Sequence, residues 1–137
     1  MPPINIVVFS FDLPENPCAY IRLLSPFEAV KDRVNYALGV SVKKNLLFKR
    51  IVIHDKYIDF ADLIIVQRTF PRAKTSKILK KILSSGKPVI YDTDDLLTDL
   101  PQGHVSKAFI DKKKPFIVEF MKQVDMVSVS TPLLAEA

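Results

Sequence analysis

Short apolar runs rich in isoleucine and valine constrain the fold of this chain more than any other feature. They span residues 4–9, 34–38, 63–66, 89–91 and 126–129. The runs at 63–66 and 89–91 are apolar without interruption, as expected of parallel strands covered on both faces. Helical patterns separate most of the runs. The order predicts an α/β fold, namely one Rossmann-like domain with a doubly wound, mostly parallel sheet in three layers.

Helix signals lie between several of these runs. Ser25-Pro26-Phe27-Glu28 has a capping residue, a proline suited to the first helical position and a glutamate that completes a capping box. An amphipathic helix is predicted over 73–85, with Gly86 placed to end it in a left-handed conformation. Pro115 can begin another helix, and Thr131-Pro132 begins a last one. Because that last helix stops at Ala137, the chain is expected to be a fragment of a longer protein.

Three segments are predicted to be irregular or are left open by their pattern. Pro14 and Pro17 predict a loop over 11–24. Residues 96–106 also predict a loop. The apolar residues within 41–61 fit either a buried helix or strands, and periodicity alone does not decide between them.

The run at 89–91 leads directly into three carboxylates, Asp92, Asp94 and Asp95. In open α/β sheets, ligands bind in the crevice beyond the carboxyl ends of the strands. Carboxylates crowded together repel one another, so they require a cation, hydrogen-bond donors or ligand hydroxyls nearby. The sequence therefore predicts a functional site at this end of the strand.

The charge and the cysteine content of the chain limit which classes of partner and which cellular compartment are expected. The chain has 20 basic and 15 acidic residues, a net charge of +5. Much of the excess lies in short basic runs at 43–44, 49–50, 80–81 and 112–114. These runs are typical of a solvated surface, or they attract a membrane surface or a phosphate-bearing substrate. Nucleic acid is not expected, because no aromatic residues alternate with the runs. A single cysteine, Cys18, favours a reducing cytoplasm.

Several familiar sites are not predicted. A dinucleotide fingerprint requires glycines after the first strand, and Gly39, Gly86 and Gly103 all lie elsewhere. No metal site is expected, because His54 and His104 are far apart and no His/Cys pair has ligand spacing. His104 follows the acidic cluster and is the better candidate for a functional role.

Two alternatives from other classes remain open. Asp92-Thr93-Asp94 resembles the first motif of haloacid-dehalogenase-like phosphatases, in which Asp92 would attack phosphorus, Asp94 would act as acid and base, and Mg²⁺ would bind nearby. That motif normally follows the first strand, whereas here it follows about the fourth. The other alternative is a non-catalytic α/β binding module with the same acidic strand end.

Three ordered segments together resemble the N-terminal half of a family 4 (group 1) glycosyltransferase. They are Ala61–Arg68, Gly86–Leu96 and Asp125–Leu134. The resemblance implies a GT-B enzyme, in which residues 1–137 form the acceptor-side domain and a C-terminal domain absent from this chain binds the nucleotide-sugar donor. It further implies a retaining transfer of sugar to a sugar, lipid-linked or small-molecule acceptor without metal or cofactor. This chain alone is expected to be inactive.

The same resemblance assigns roles to residues of this chain. Asp94 and Asp95 take the place of a His-containing segment of the family, which implies a catalytic role through hydrogen bonds to sugar hydroxyls or electrostatic stabilisation of an oxocarbenium-like centre. Ser130 and Thr131 resemble the serine at the end of a late strand of the family, which implies a role in binding the acceptor. By their positions at or after strand ends, Arg22, Arg68, Asp92 and His104 are further candidates for acceptor binding. Structural alternatives stay open: helix or turn caps for Asp92, Asp95, Ser130 and Thr131, and pairing with the acids for Arg68.

Overall fold

A five-stranded parallel sheet forms the centre of the computed structural model, which describes residues 1–12 and 14–137. The strands in chain order are β1 (Ile4–Phe9), β2 (Val34–Leu38), β3 (Val40–Lys44), β4 (Lys49–Ile53), β5 (Leu63–Gln67), β6 (Val89–Thr93) and β7 (Met126–Val129). The main sheet has the order β2-β1-β5-β6-β7, and all its neighbours are parallel. This is the doubly wound order 2-1-3-4-5 when only its own strands are counted.

Helices cover both faces of the sheet. They are α1 (Pro17–Ala19), α2 (Ser25–Ala29), α3 (Tyr57–Phe60), α4 (Ser76–Leu83), α5 (Lys107–Asp111), α6 (Lys114–Met121) and α7 (Pro132–Glu136). A π-helical turn at Tyr20–Leu24 joins α1 to α2, and a 3₁₀ turn at Ala73–Thr75 precedes α4. Within the described residues, none of these helices has the length and apolar character needed to cross a membrane.

Two apolar cores lie on opposite faces of the sheet, because successive strand residues point in opposite directions. On one face Ile6 and Val8 of β1 pack with Leu23, Leu24 and Phe27 of the first helical segment, residues 17–29, which comprises α1, the π-helical turn and α2. The other core is larger. It includes Val7, Phe9, Ile64, Val66, Tyr91, Ile78, Ile82, Ile117 and Phe120. The structure thus has the three-layer α/β/α architecture that the sequence predicts.

The predicted strands are confirmed at all five places. Gly86 has φ 72° and follows α4 as predicted, in a conformation that glycine adopts without steric cost. A helical segment is confirmed between 73 and 83. The helices expected at Pro115 and Pro132 are also present.

The predicted loop over 11–24 is wrong in its second half, because Pro17 begins a helix. The side chain of Asn16 accepts a hydrogen bond from the backbone N–H of Cys18, and Pro17 occupies the first turn, where its missing N–H costs nothing. The helical path then continues through the π-helical turn into α2. Ser25 has helical dihedral angles, so it lies inside this path and does not cap it. Leu13, which also falls in the predicted loop, lies outside the described residues.

The segment 41–61 contains strands followed by a short helix. β3 and β4 form an antiparallel hairpin, whose base is closed by a hydrogen bond from the His54 backbone N–H to the Gly39 carbonyl oxygen (2.8 Å). Gly39 joins this hairpin to β2. A Cβ atom at Gly39 would lie 2.5 Å from the ring of Phe9, so no larger residue fits without displacing that ring.

Candidate functional site

Charged side chains gather at the carboxyl edge of the sheet, where the connections of β1 and β5 leave in opposite directions. The chain continues from β1 to β2 on one side and from β5 to β6 on the other. Such a switch point opens a crevice between the two strands. Four segments meet there: residues 10–12 after β1, 18–22 in the first helical segment, 67–68 at the end of β5, and 92–95 at the end of β6.

A buried hydrogen-bond network forms the floor of this crevice. The guanidinium group of Arg22 donates through Nε to Asp92 Oδ2 (3.0 Å) and through Nη2 to Oδ1. The Gln67 amide nitrogen also donates to Asp92 Oδ2 (3.1 Å) and to the Cys18 carbonyl oxygen, while its amide oxygen accepts from Ser10. The side chains of Asp92 and Arg22 are only 4 % and 18 % exposed. Both carboxylate oxygens of Asp92 are therefore occupied.

Above this floor, Arg68 lies among three further carboxylates. Its Nη2 donates to Asp95 Oδ2 (2.8 Å), and its Nε lies 3.4 Å from Asp94 Oδ1 and 3.7 Å from Asp12 Oδ2. Its Nη1 donates to the Cys18 sulfur. Among the described residues, Asp12 Oδ2 and Asp94 Oδ1 are buried carboxylate oxygens that accept no hydrogen bond. Buried acceptors of this kind are rare and call for a donor.

The backbone of Arg68 has an unusual conformation that its neighbours hold in place. Its φ is 49°, in the left-handed region that residues with a Cβ atom seldom occupy. The Arg68 N–H donates to the Asp92 carbonyl oxygen (2.9 Å), and the Tyr91 hydroxyl donates to the Arg68 carbonyl oxygen (2.8 Å). Burial raises the pKa of Tyr91, so its hydroxyl keeps the proton that makes the second bond.

Acidic charge exceeds basic charge in the crevice, with four carboxylates beside two guanidinium groups. Burial raises the pKa of Asp12, and Asp94 and Asp95 add to that effect while Arg68 opposes it. Burial alone would lower the pKa of Arg68, but Asp94 and Asp12 raise it above its usual value. Burial raises the pKa of Cys18, and the negative charge of Asp94 adds to that effect. Cys18 is thus held as a thiol at neutral pH.

A cavity of about 770 Å³ adjoins this cluster. Asp12, Arg68 and Asp95 line one part of its wall, and Arg72 and Phe109 line another part. The loop after β6 completes the wall. The cavity is large enough for a small polar ligand.

Arg72 differs from Arg22 and Arg68 because no carboxylate of the described residues lies within 4.0 Å of it. Its guanidinium stacks on the Phe11 ring, 4.0 Å from the centroid, and donates to the Thr69 carbonyl oxygen. Burial lowers the pKa of Arg72. A half-buried guanidinium without an acidic partner is suited to receive an anionic group.

The structure brings five of the eight predicted site residues together: Arg22, Arg68, Asp92, Asp94 and Asp95. Arg68 pairs with the acids, which is the structural alternative that the sequence left open. His104 lies apart from them on the cavity wall, exposed, with its Nδ1 accepting from the Ser106 N–H.

Ser130 and Thr131 belong to the neighbouring loop after β7. The Ser130 hydroxyl donates to the Asp94 carbonyl oxygen (3.2 Å), so it supports the backbone of the site. The Thr131 side chain accepts from the Leu134 N–H and caps α7. This is the capping role that the sequence also allowed for Thr131. A second cavity of about 330 Å³, mostly apolar, opens beside these residues.

Sequence reasoning missed Asp12, Gln67 and Arg72 as members of the site. Asp12 and Gln67 could have been found, because each lies at or just after the carboxyl end of a predicted strand. No sequence signal marks Arg72. In the part of the chain that the structure describes, no group of three or more His, Cys, Asp or Glu side chains is arranged to hold a metal ion.

Comparison with known proteins supports the fold class. No protein-family model and no curated protein matches the chain. A solved structure described as a conserved protein from Enterococcus faecalis V583 is similar over 97 % of this chain and 96 % of its own length, with a TM-score of 0.55 and 13 % identity. At that identity the similarity shows the shared fold alone. The chain is an α/β domain of the doubly wound, Rossmann-like class.

Proposed function

We propose that this chain is the acceptor-binding domain of a glycosyltransferase, in which the crevice at the carboxyl edge binds a hydroxyl-rich acceptor. The observation that carries the proposal is the pair of buried carboxylate oxygens without hydrogen bonds, Asp12 Oδ2 and Asp94 Oδ1. Asp12 lines the cavity of about 770 Å³, and Asp94 directly precedes Asp95, which also lines it. Ligand hydroxyls supply the donors that these carboxylates lack. The resemblance of the sequence to family 4 glycosyltransferases supports the same assignment.

The wall of the cavity has the chemistry that sugar recognition requires. The carboxylate of Asp95 accepts hydrogen bonds from hydroxyls, and the guanidinium of Arg68 donates them. The ring of Phe109 offers an apolar face, although Lys113 Nζ lies 2.9 Å from its centroid on one side. Arg72 would bind a phosphate or carboxylate group on the acceptor. The acceptor class that fits best is therefore a polyol or sugar that carries an anionic group.

Asp94 and Asp95 have distinct roles in this proposal. Asp95 forms a short ion pair with Arg68 (2.8 Å), which fixes its position for binding. Asp94 has only a longer contact with Arg68 (3.4 Å), and its Oδ1 accepts no hydrogen bond, so the hydroxyl of a bound acceptor would supply the donor that this oxygen lacks. It would accept the proton of the acceptor hydroxyl or stabilise positive charge at the sugar carbon. The donor sugar would come from the second domain that the resemblance implies.

The contacts of Asp92 weigh against the phosphatase alternative. In that mechanism a carboxylate oxygen of Asp92 attacks phosphorus, which requires a free lone pair directed at the substrate. Arg22 and Gln67 occupy both oxygens, and the side chain is almost completely buried. A non-catalytic binding module would use the same crevice without transferring a sugar.

The test is sugar transfer by the whole protein that carries this chain, with a panel of nucleotide-sugars and of sugars, polyols and their phosphates. Asp94→Asn should lower kcat by about 10²-fold or more, because a group that acts in the transition state is lost. Asp32→Asn, an exposed carboxylate before β2, is the matched control and should leave kcat unchanged. Magnesium-dependent hydrolysis of an aryl phosphate without sugar transfer would overturn the proposal.

A further inference from the structure

The β3–β4 hairpin carries an apolar tip that none of the described residues covers. Leu46 is fully exposed, and Leu47 and Phe48 are 80 % and 71 % exposed. These three residues are consecutive and occupy the turn. Large apolar side chains scattered singly on a surface are ordinary, but a contiguous exposed group marks an interaction site.

Hydrogen bonds define the turn and hold these side chains outward. The Asn45 side-chain oxygen accepts hydrogen bonds from the N–H groups of Leu47 (3.3 Å) and Phe48 (2.8 Å). The Asn45 N–H in turn donates to the Phe48 carbonyl oxygen (3.0 Å). Because these hydrogen bonds hold the turn through its backbone and the Asn45 side chain, the exposed apolar side chains remain available to a partner.

Four cations surround the hairpin directly behind the tip. Lys43 lies opposite Arg50, and Lys44 lies opposite Lys49, in the antiparallel register. Like charges in opposite positions destabilise a hairpin. Alternating side chains place one of these pairs on each face, so the cations form a collar around the tip. Residues 40–54 contain no aspartate or glutamate to neutralise it.

We propose that the β3–β4 hairpin docks this protein on an anionic lipid bilayer, with Leu46, Leu47 and Phe48 inserted among the lipids and the collar of Lys43, Lys44, Lys49 and Arg50 against the headgroups. An apolar tip backed by a cationic collar matches the polarity profile of such a surface, in which anionic headgroups lie above the hydrocarbon. A second copy of the hairpin is a poorer partner, because it would bring the two collars together.

The position of the hairpin agrees with this role. Its base lies at the carboxyl end of β2, where the Gly39 N–H donates to the carbonyl oxygen of Val8 near the end of β1. The hairpin therefore leaves the sheet at the same edge as the crevice. Five-residue strands place the tip roughly 17 Å from that base. The inference does not depend on the proposed function, since any activity at this edge would be brought to the membrane.

The experiment is co-sedimentation of the protein with vesicles of phosphatidylcholine alone and of phosphatidylcholine mixed with phosphatidylglycerol. The wild-type protein should bind the anionic vesicles more tightly and lose binding at high salt. A tip variant with Leu46→Ser, Leu47→Ser and Phe48→Ser should bind at least about tenfold more weakly. Replacing the collar by glutamine should cost about fivefold for each cation removed.

Two matched controls distinguish binding through this surface from nonspecific binding to vesicles. Val105→Ser with Leu133→Ser removes apolar side chains exposed elsewhere, and a second variant replaces four exposed lysines elsewhere by glutamine; these are Lys31, Lys112, Lys114 and Lys122. The apolar control should bind as the wild-type protein does, and the lysine control should lose less than the collar variant. The proposal is overturned if anionic vesicles do not bind the wild-type protein, if the tip variant binds equally well, or if the tip instead mediates dimerisation in sedimentation velocity.

Discussion

At the scale of single residues, the chemistry of the crevice depends on which of its carboxylates accept hydrogen bonds from other side chains. Asp92 is enclosed by Arg22 and Gln67 and is a structural residue, although the sequence places it in the same acidic cluster as Asp94. Asp12 and Asp94 share the single guanidinium of Arg68 at 3.7 and 3.4 Å. The difference between carboxylates with and without hydrogen-bond partners separates the floor of the crevice from the side that we propose binds the acceptor.

The Arg22–Asp92 pair gives the first prediction at this scale. Arg22→Met should destabilise the fold by ~3 kcal/mol, because it leaves a buried carboxylate without its cation. Unfolding in urea measures the change. Lys81→Met removes one partner of the exposed Lys81–Asp55 pair and should change stability by less than ~1 kcal/mol. Equal effects of the two variants would contradict the structural role of Asp92.

Asp12 gives a prediction about pH. Burial raises the pKa of its carboxyl in the folded state, so the folded protein holds this proton more tightly than the unfolded chain does. Ionisation of Asp12 therefore costs stability, and this cost grows as the pH rises from the unfolded value of 3.8 through the raised folded-state pKa. Asp12→Asn removes the cost. The stability of the variant should therefore rise relative to that of the wild-type protein across that window, and the gain should persist at neutral pH.

Urea unfolding of both proteins at a series of pH values checks this. Asp32→Asn is again the control, and its difference from the wild-type protein should stay constant over the same window. A constant difference for Asp12→Asn as well, or a difference that shrinks as the pH rises, would contradict the account.

At the scale of elements, the local sequence pattern predicts the five strands of the main sheet, but it does not predict the structure of every segment that connects them. Each apolar run forms a strand because it is too short for a helix and lies between turn or helix signals. The helical turns at 17–24 are not predicted, because Pro14 and Pro17 indicate a loop, whereas in the structure Pro17 stands in the first turn behind the Asn16 cap. The sequence does not decide between helix and strands within 41–61, because strand pairing is non-local and the apolar turn of the hairpin resembles a buried run.

The junction between β2 and the hairpin can be tested through Gly39. Gly39→Ala should destabilise the fold by ~1–3 kcal/mol, because the new Cβ would collide with the Phe9 ring. Phe9→Leu alone is also destabilising, since it shrinks a fully buried side chain. The two costs should be far less than additive in the double variant, as a double-mutant cycle of unfolding free energies would measure. Additive costs would show that the contact does not limit residue 39.

At the scale of the whole molecule, the sheet order places four distant segments at one edge. The position rule for doubly wound sheets predicted the acidic strand end and Arg68 from sequence. It could not predict that Arg22 would reach Asp92 across 70 positions, because that contact depends on how the first helical segment packs. The sequence could not predict Arg72 either, since its proposed role follows from the absence of a carboxylate partner among the described residues, which depends on how the chain folds.

The measurement that tests the central claim most directly is an NMR titration of this chain with a sugar phosphate such as glucose 1-phosphate. The account predicts saturable shifts in the amide signals of Asp12, Arg68, Thr69 and Asp95, reduced in Asp94→Asn and in Arg72→Met but not in Asp32→Asn. A titration with inorganic phosphate alone should affect mainly the surroundings of Arg72. Shifts confined to other surfaces, or no saturable shifts with any sugar, polyol or sugar phosphate, would contradict the assignment of this crevice as an acceptor site.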